Sequence, residues 1–299
     1  MSLKTTVGIG AVLLAGLGLG VIYWLHARGE QPAPAVVSAE PREFHKAPAA
    51  REGEKAGTTA GAKPSSPTES KKSAPAPEVG VPLKAGEVLE YTANVAKLDN
   101  VATLTLKIVG RGSFVGKSAW HLQALAHTQN PLRMVFELDD QFDSYSDAGT
   151  LASMQYEMRL SERGQKVESL QRMTVSDKEP APENAAAARV LPGTRDPLGM
   201  MEYLRNVDWS KTPAVHCPVY DGHKLYEVRA KFTGGLEKVS VPAGNYSASK
   251  IEIHAFEDGV ELKDASFTLY VANDAARTPV LLEAVMPFAT ARVELVKVK

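Results

Sequence analysis

The C-terminal two thirds of the chain alternate between apolar and polar residues in short runs. Between residues 102 and 108 every second side chain is apolar, and the runs 120–126 and 226–232 repeat this pattern. A period of two with one polar face is typical of half-buried antiparallel strands. From residue 81 onward the pattern predicts about eleven or twelve such strands, one of them at residues 132–138.

Two turn signals predict hairpins between these strands. The dipeptide Asp221-Gly222 predicts a two-residue loop, and the resulting register would place His216 opposite Glu227. Residues 242–245, with a proline and a glycine, predict a second reversal. Consecutive strands are therefore expected to pair as antiparallel neighbours.

One helix is predicted in the middle of this region. Asp196 is a suitable N-cap residue, Pro197 is a suitable first helical residue, and apolar side chains then recur on one face until about Asn206. The stretch 179–193 contains four successive alanines and is interpreted as a long loop in preference to a marginal helix.

The many strands and the single helix together predict a mainly β architecture. A long sheet must curl, close or be covered to hide its apolar face and its edges. We therefore expect a strongly curved antiparallel sheet, or half-barrel, with one short helix packed on it. A sandwich of two sheets is the alternative.

The N-terminal segments differ in character from this β-domain, which spans residues 81–299. Val7–Leu25 contains 19 residues without a charge, and a helix of that length would reach roughly 28 Å, close to the thickness of a bilayer core. Residues 1–28 are therefore predicted to be a transmembrane anchor, with a cleaved signal peptide as the alternative. Residues 29–80 are rich in proline and alanine and are predicted to be a disordered linker.

Charge and cysteine content exclude several functional classes. With 34 Lys+Arg and 35 Asp+Glu the formal net charge is −1, which argues against a nucleic-acid-binding protein. The single cysteine, Cys217, excludes an intramolecular disulfide and the common zinc sites built on several cysteines. It is interpreted as a buried thiol. No cofactor is predicted.

A search for catalytic or metal-binding patterns finds none that is convincing. His121 and His127 lie on one strand face, but six residues separate them by about 20 Å, too far to share a metal. The acidic stretch 137–147 lacks the glycine and the terminal glutamate of an EF-hand loop and is interpreted as a solvated strand whose charges protect a sheet edge. Glycines at 110–112 and 234–235 are interpreted as turns between strands. The protein is therefore predicted not to be an enzyme.

Two charged clusters are candidates for recognition of a polar group. Arg195 and Asp196 form one, and Asp274 and Arg277 form the other. A guanidinium offers several donors in a planar fork, which suits a polar headgroup. The alternative is structural: Asp196 caps the helix, and Asp274 starts a turn.

Several short segments follow one another in a recognisable order along residues 85–299. They are Gly86–Tyr91, Phe142–Asp147, Arg195–Leu198, Tyr203–Arg205, Tyr220–Gly222, Val241–Gly244 and Asp274–Val280. In order and spacing they resemble the bacterial envelope family called domain of unknown function 3108. The resemblance implies an exported protein without an assigned activity. By analogy of fold alone, it also implies a likeness to curved-sheet lipoprotein carriers of the LolA/LolB type.

These observations lead to one functional hypothesis and one alternative. We expect a single-pass protein of the bacterial inner membrane, with its N-terminus in the cytoplasm and its β-domain in the periplasm. The concave face of the sheet would bind a lipid or other apolar ligand, unless its side chains simply pack the core. The candidate ligand-binding residues are Tyr91, Leu104, Leu106, Trp120, Leu122, Met134 and Phe136. The alternative is a periplasmic scaffold or adaptor for a protein or cell-wall partner.

Overall fold

A computed structural model of the chain describes residues 83–175, 186–263, 266–286 and 289–299. The predicted anchor and the predicted linker lie outside these residues. Within the described ranges, no helix is both long and apolar enough to cross a membrane.

The described residues form fourteen strands and one α-helix. The strands are β1 (Val88–Val95), β2 (Leu98–Phe114), β3 (Lys117–Thr128), β4 (Asp139–Asp147), β5 (Ser153–Glu162), β6 (Gln165–Thr174), β7 (Ala186–Arg189), β8 (Ala214–Tyr220), β9 (Leu225–Val241), β10 (Gly244–Glu257), β11 (Val260–Glu261), β12 (Ser266–Ala272), β13 (Pro279–Met286) and β14 (Ala289–Val298). The helix, α1 (Pro197–Asn206), lies between β7 and β8. The alternating runs 102–108, 120–126 and 226–232 fall in β2, β3 and β9, as the sequence predicts.

All these strands belong to one open curved sheet, which confirms the predicted mainly β architecture with one helix. The order is β7-β6-β5-β4-β3-β2-β1-β14-β13-β12-β10-β9-β8, and β11 pairs with β10. Neighbours are antiparallel except β6 and β7. The segment before α1 runs between the two ends of the sheet, because Arg195 pairs with β8 and the Thr194 carbonyl accepts from the Ser153 amide of β5.

Helix α1 begins and ends where the sequence predicts. Asp196 accepts a hydrogen bond from the Gly199 amide at 2.9 Å, which satisfies one of the free donors of the first turn. All ten helical residues are buried, and the helix packs against β3, β4 and β8. Because one curved sheet buries the whole helix, α1 is part of the core and not a surface element.

The predicted strand at 132–138 is wrong. Leu132–Met134 form a 3₁₀ turn, and β4 begins only at Asp139. Backbone bonds such as the one from the Phe136 amide to the Leu132 carbonyl, 2.8 Å, close helical turns that a strand does not allow. Met134 consequently points away from the concave face and is 82% exposed, so its prediction as a lining residue is also wrong.

The Asp221-Gly222 hairpin forms, but with a longer loop than predicted. Residues 221–224 make the turn, and His216 pairs with Arg229, not with Glu227. The Asp221 side chain accounts for the longer loop, because it accepts hydrogen bonds from the amides of the last two loop residues, both at 2.6 Å. Such side-chain bonds stabilise a wider turn.

Three further expectations need correction. The glycines at 110–112 and 234–235 lie inside β2 and β9, next to irregularities in register, and not between strands. Glycine inside a strand commonly marks such a bulge. Most of the acidic stretch 137–147 forms β4, which pairs on both sides and is no edge. In the predicted loop 179–193, the alanines at 186–188 belong to β7, and residues 179–185 lie outside the described part of the chain.

Candidate functional site

The concave face of the sheet is the first candidate site. Six of the predicted lining residues are buried there, each at most 8% exposed: Tyr91, Leu104, Leu106, Trp120, Leu122 and Phe136. Their side chains belong to one continuous apolar core that includes Leu198, Met201 and Leu204 of α1. The candidates are thus brought together, but the helix occupies the space between them.

A small recess remains between α1 and strands β1 to β3. Its volume is about 10 Å³, room for about one water molecule. Leu106 and Leu122 line it from the sheet and Met201 from the helix, and the carboxylates of Glu87 and Glu202 complete the lining. An acyl chain needs far more space than this. In the described conformation, α1 therefore leaves no room for an acyl chain at this recess.

A buried ionic cluster holds the C-terminal end of α1. Arg205 donates to both oxygens of Glu87 at 2.6 and 2.8 Å, and to Glu202 at 3.3 Å. It also donates twice to the Ala276 carbonyl, in the turn between β12 and β13. Burial lowers the pKa of Arg205, but the two carboxylates outweigh burial and raise it above its ordinary value. The cluster ties the helix to the residue before β1 and to the turn between β12 and β13.

The N-terminal end of α1 is held by a second buried carboxylate. Asp196 accepts from the Ser144 hydroxyl of β4 and, as N-cap, from the Gly199 amide. Its own amide donates to the Ser153 hydroxyl at 2.7 Å. Burial raises the pKa of Asp196, and these hydrogen bonds oppose the shift. Both ends of the helix are thus bonded to the sheet.

The structure places the four predicted recognition residues at the two ends of α1, in two separate groups. Arg195, beside the N-cap Asp196, lies 3.6 Å over the ring of Tyr203 and donates to two backbone carbonyls. Arg277 donates to the last carbonyls of the helix, at Asn206 and the following residue, and Asp274 accepts from Thr278 within the turn. These hydrogen bonds are internal to the fold, although Nε of Arg195 is buried without a hydrogen-bond partner among the described residues and Asp274 is exposed.

Cys217 is buried beside Arg195, as the sequence predicts for its thiol. Burial raises the pKa of the Cys217 thiol to about 11, although Arg195 acts in the opposite direction. A thiol is a nucleophile only as the thiolate, so this side chain is unreactive at neutral pH.

The outer face of β3 to β5 carries a polar network that the sequence analysis missed. Asp143 accepts from His121 at 2.7 Å, from Gln123 and Gln141, and from Arg159 at 2.9 Å. Burial raises the pKa of Asp143, but the bonds from His121 and the two amides outweigh it, so the net shift is downward. The only sequence signal is that these residues occupy the polar positions of neighbouring alternating runs.

His121 and His127 do not share a partner in this network. His127 pairs with Asp139 at 2.8 Å, and Arg133 binds the same carboxylate. Within the described ranges, no three histidine, cysteine or carboxylate side chains are grouped closely enough to hold a metal ion.

A further buried carboxylate, Asp140, faces inward from β4 and is only 1% exposed. One of its oxygens accepts from the Ser161 amide at 2.9 Å. The sequence analysis missed this site because Asp140 stands in an acidic run that resembles a solvated strand, and only its alternation with Asp139 distinguishes the inner position from the outer one.

One family of known proteins matches most of the chain. A family model described as "Protein of unknown function (DUF3108)" matches residues 90–296. Among curated proteins, none matches the chain.

Three solved structures are similar to the chain at low identity. A beta-barrel-like protein of domain of unknown function DUF1849 from Brucella abortus is 11% identical, with a TM-score of 0.47 over 72% of this chain and 97% of that chain. A protein from Parabacteroides distasonis, provisionally assigned as a lipoprotein, is 11% identical, with a TM-score of 0.36 over 74% and 99%. A protein from Bacteroides fragilis, provisionally assigned as exported and with a YmcC-like fold, is 10% identical, with a TM-score of 0.30 over 74% and 99%.

Proposed function

The chain belongs to the DUF3108 family of proteins of unknown function, and we propose that its β-domain is a non-enzymatic binding module of the bacterial cell envelope that contacts a protein partner with its outer surface. One observation carries the proposal: α1 packs on the inner face of the sheet and leaves beside it a recess of only about 10 Å³. The uncharged run Val7–Leu25, followed by the proline- and alanine-rich residues 29–80, supports an envelope location with the domain on an inner-membrane anchor.

The polar groups of the domain support a role without catalysis. A general acid at neutral pH needs a raised pKa and access to substrate. The pKa of Asp143 is lowered and Arg159 is bonded to it, whereas Asp140, whose pKa is raised, is only 1% exposed. Cys217 stays protonated because burial raises its pKa to about 11. Ser144 is buried and bonded to Asp196, so its hydroxyl is directed to a structural contact.

The loop between β3 and β4 provides the surface that fits a protein partner. Met134 and Val135 are 82% and 69% exposed and lie side by side at its tip. Arg133 holds the loop by bonds to Asp139 and Glu137. Two exposed apolar side chains on a loop that is fixed by ion pairs can insert into an apolar pocket of a partner, which is the usual geometry of an interface anchor.

Site-specific photo-cross-linking of the full-length protein in cells tests this proposal. A photo-reactive residue in place of Met134 is expected to give one discrete protein adduct. The same probe in place of Val296, 43% exposed on β14, serves as the matched control and is expected to give none. A Val135→Glu change should remove the adduct from Met134 without loss of folded protein. The absence of any adduct, or equal adducts at both positions, would overturn the proposal.

Binding of a lipid or other apolar ligand between α1 and the sheet is the second candidate. The specific observation that favours it is the recess lined by Leu106, Leu122 and Met201, into which a ligand would enter if the helix moved outward. This function would be favoured over the first if lipid were extracted from the full-length protein in equal molar amount. The lipid should be lost in a Leu122→Phe variant, whose larger side chain fills the recess. Tyr91 and Leu104 would then be further contacts of the ligand.

A further inference from the structure

Two acidic side chains meet on the inner face of the sheet, where β4 begins and β5 ends. Asp140 faces inward opposite Leu160, and Glu162 pairs with Leu138, the residue that precedes β4. Side chains two apart on a strand lie on the same face, so Asp140 and Glu162 are diagonal neighbours across the two strands. Neither is an outer-surface charge.

Among the described residues, the charged groups that shift the pKa of Asp140 include no basic side chain. The charged groups that act on it are Glu162 from β5 and Asp139 from its own strand, both carboxylates. From the turn between β8 and β9, Asp221 acts, together with Asp140, on the hydroxyl of Tyr156. The second carboxyl oxygen of Asp140, Oδ2, is buried and has no hydrogen-bond partner within the described residues.

A buried carboxyl in this position favours its neutral form. Burial, and after it the charge of Glu162, raises the pKa of Asp140 to about 7, against a partly opposing bond from the Ser161 amide. In the unfolded chain the same group has a pKa of about 3.9. The folded state thus binds a proton that the unfolded state has released, and stability falls as the pH rises from about 4 to about 7.

We propose that Asp140 is a pH-sensitive element of the fold: as a neutral acid it holds the ends of β4 and β5 together, and as a carboxylate it loosens them. Ionisation leaves a carboxylate buried beside Glu162, and local opening that admits water relieves this cost. The opening includes the entry into β4, where the Leu138 amide donates to the Thr128 hydroxyl at 3.0 Å. The inference is independent of the partner proposed above, because it concerns a property of the fold alone.

Hydrogen exchange of the full-length protein between pH 5 and 8 tests this inference. After correction for intrinsic exchange rates, protection of residues 138–143 and 159–163 is expected to fall by a factor of about 10–100 and then to level off. In an Asp140→Asn variant, which keeps an acceptor for the Ser161 amide, protection should not change over this range. Asp139→Asn is the matched control on the opposite face, since the hydrogen bond from Arg133 holds the pKa of Asp139 at about 2. The charge of Asp139 raises the pKa of Asp140 less than that of Glu162 does, so this control should keep most of the pH-dependent fall in protection.

The result that overturns the proposal is equally specific. If protection falls equally in the native protein and in Asp140→Asn, or in neither, Asp140 is not the responsible group. If Asp140→Asn does not fold, the Glu162→Gln variant tests the same proposal. Removal of this neighbouring charge lowers the pKa of Asp140, so the fall in protection should shrink and move to lower pH, and an unchanged fall would exclude the proposed element.

Discussion

Two buried carboxyl groups on the inner side of this sheet, Glu87 and Asp140, differ in their contact with a guanidinium. At the C-terminal end of α1, Glu87 and Glu202 share Arg205, which bonds to both. Where β4 begins, Asp140 faces Glu162, and no basic group is among those that act on it. The two sites use the same residue type on the same apolar face.

The difference shows why one buried carboxyl site is held firmly and the other responds to pH. A buried carboxylate is tolerated in its ionised form only when a cation and hydrogen bonds replace the lost water. Arg205 meets this need through its bonds to Glu87 and Glu202, and it joins the helix to the start of β1 and to the turn before β13. The site of Asp140 is most stable when the carboxyl is neutral, and it responds to pH for that reason.

Removal of the guanidinium should have the largest effect and abolish the contrast between the two sites. We expect Arg205→Met to lower the free energy of unfolding by about 3–5 kcal/mol, because Glu87 and Glu202 then remain buried without a cation. Urea denaturation at pH 7 measures the loss. The variant should also regain part of its stability at pH 5, as the two carboxyls become protonated.

The matched control for this change is Arg229→Met on the outer face. Arg229 pairs with Glu227 at 2.7 Å, but both side chains are about two-fifths exposed. Solvent-exposed pairs of this kind contribute about 0–1 kcal/mol. Equal losses in the two variants would contradict the view that burial of the carboxylates is decisive.

A smaller effect is expected at the other end of α1. Asp196→Ala removes the N-cap acceptor of the Gly199 amide and the partner of the Ser144 hydroxyl, both buried. The expected loss is about 1–2 kcal/mol in thermal or urea denaturation. Asp196→Asn keeps a capping oxygen and should lose less than half as much. If the two variants were equal, the negative charge and not the cap would hold this end.

Prediction from the sequence succeeded where local signals agree with the fold. Alternation placed most strands, and the Asp196-Pro197 pair placed the start of α1, because capping and backbone geometry are properties of neighbouring residues. The curved single sheet with one helix followed from the same signals. Prediction failed at residues 132–138, where the apolar alternation belongs to a 3₁₀ turn with Leu132 and Phe136 buried and Met134 exposed.

The buried ionic sites were beyond sequence reasoning for a different reason. Glu87 and Arg205 are 118 residues apart and meet only because α1 crosses the concave face. Asp140 and Glu162 lie on neighbouring strands, and the buried Leu138 and Phe142 share the inner face with Asp140. The many acidic residues of 137–147 suggest a solvated strand, and this composition hides the alternation that places Asp140 inside.

The smallest effect is expected for a variant that removes one carboxylate of the cluster and keeps the guanidinium. Burial raises the pKa of Glu202, and Arg205 only partly opposes this, so Glu202 contributes stability at low pH that is lost as the pH rises through its folded pKa. Glu202→Gln should therefore match the native protein at pH 5 and equal or exceed it by at most about 1 kcal/mol at pH 8. Urea denaturation at both values measures the difference. A loss of more than about 2 kcal/mol at pH 8 would mean that Arg205 needs both carboxylates, because a buried charge left without enough compensation is costly whichever sign it has.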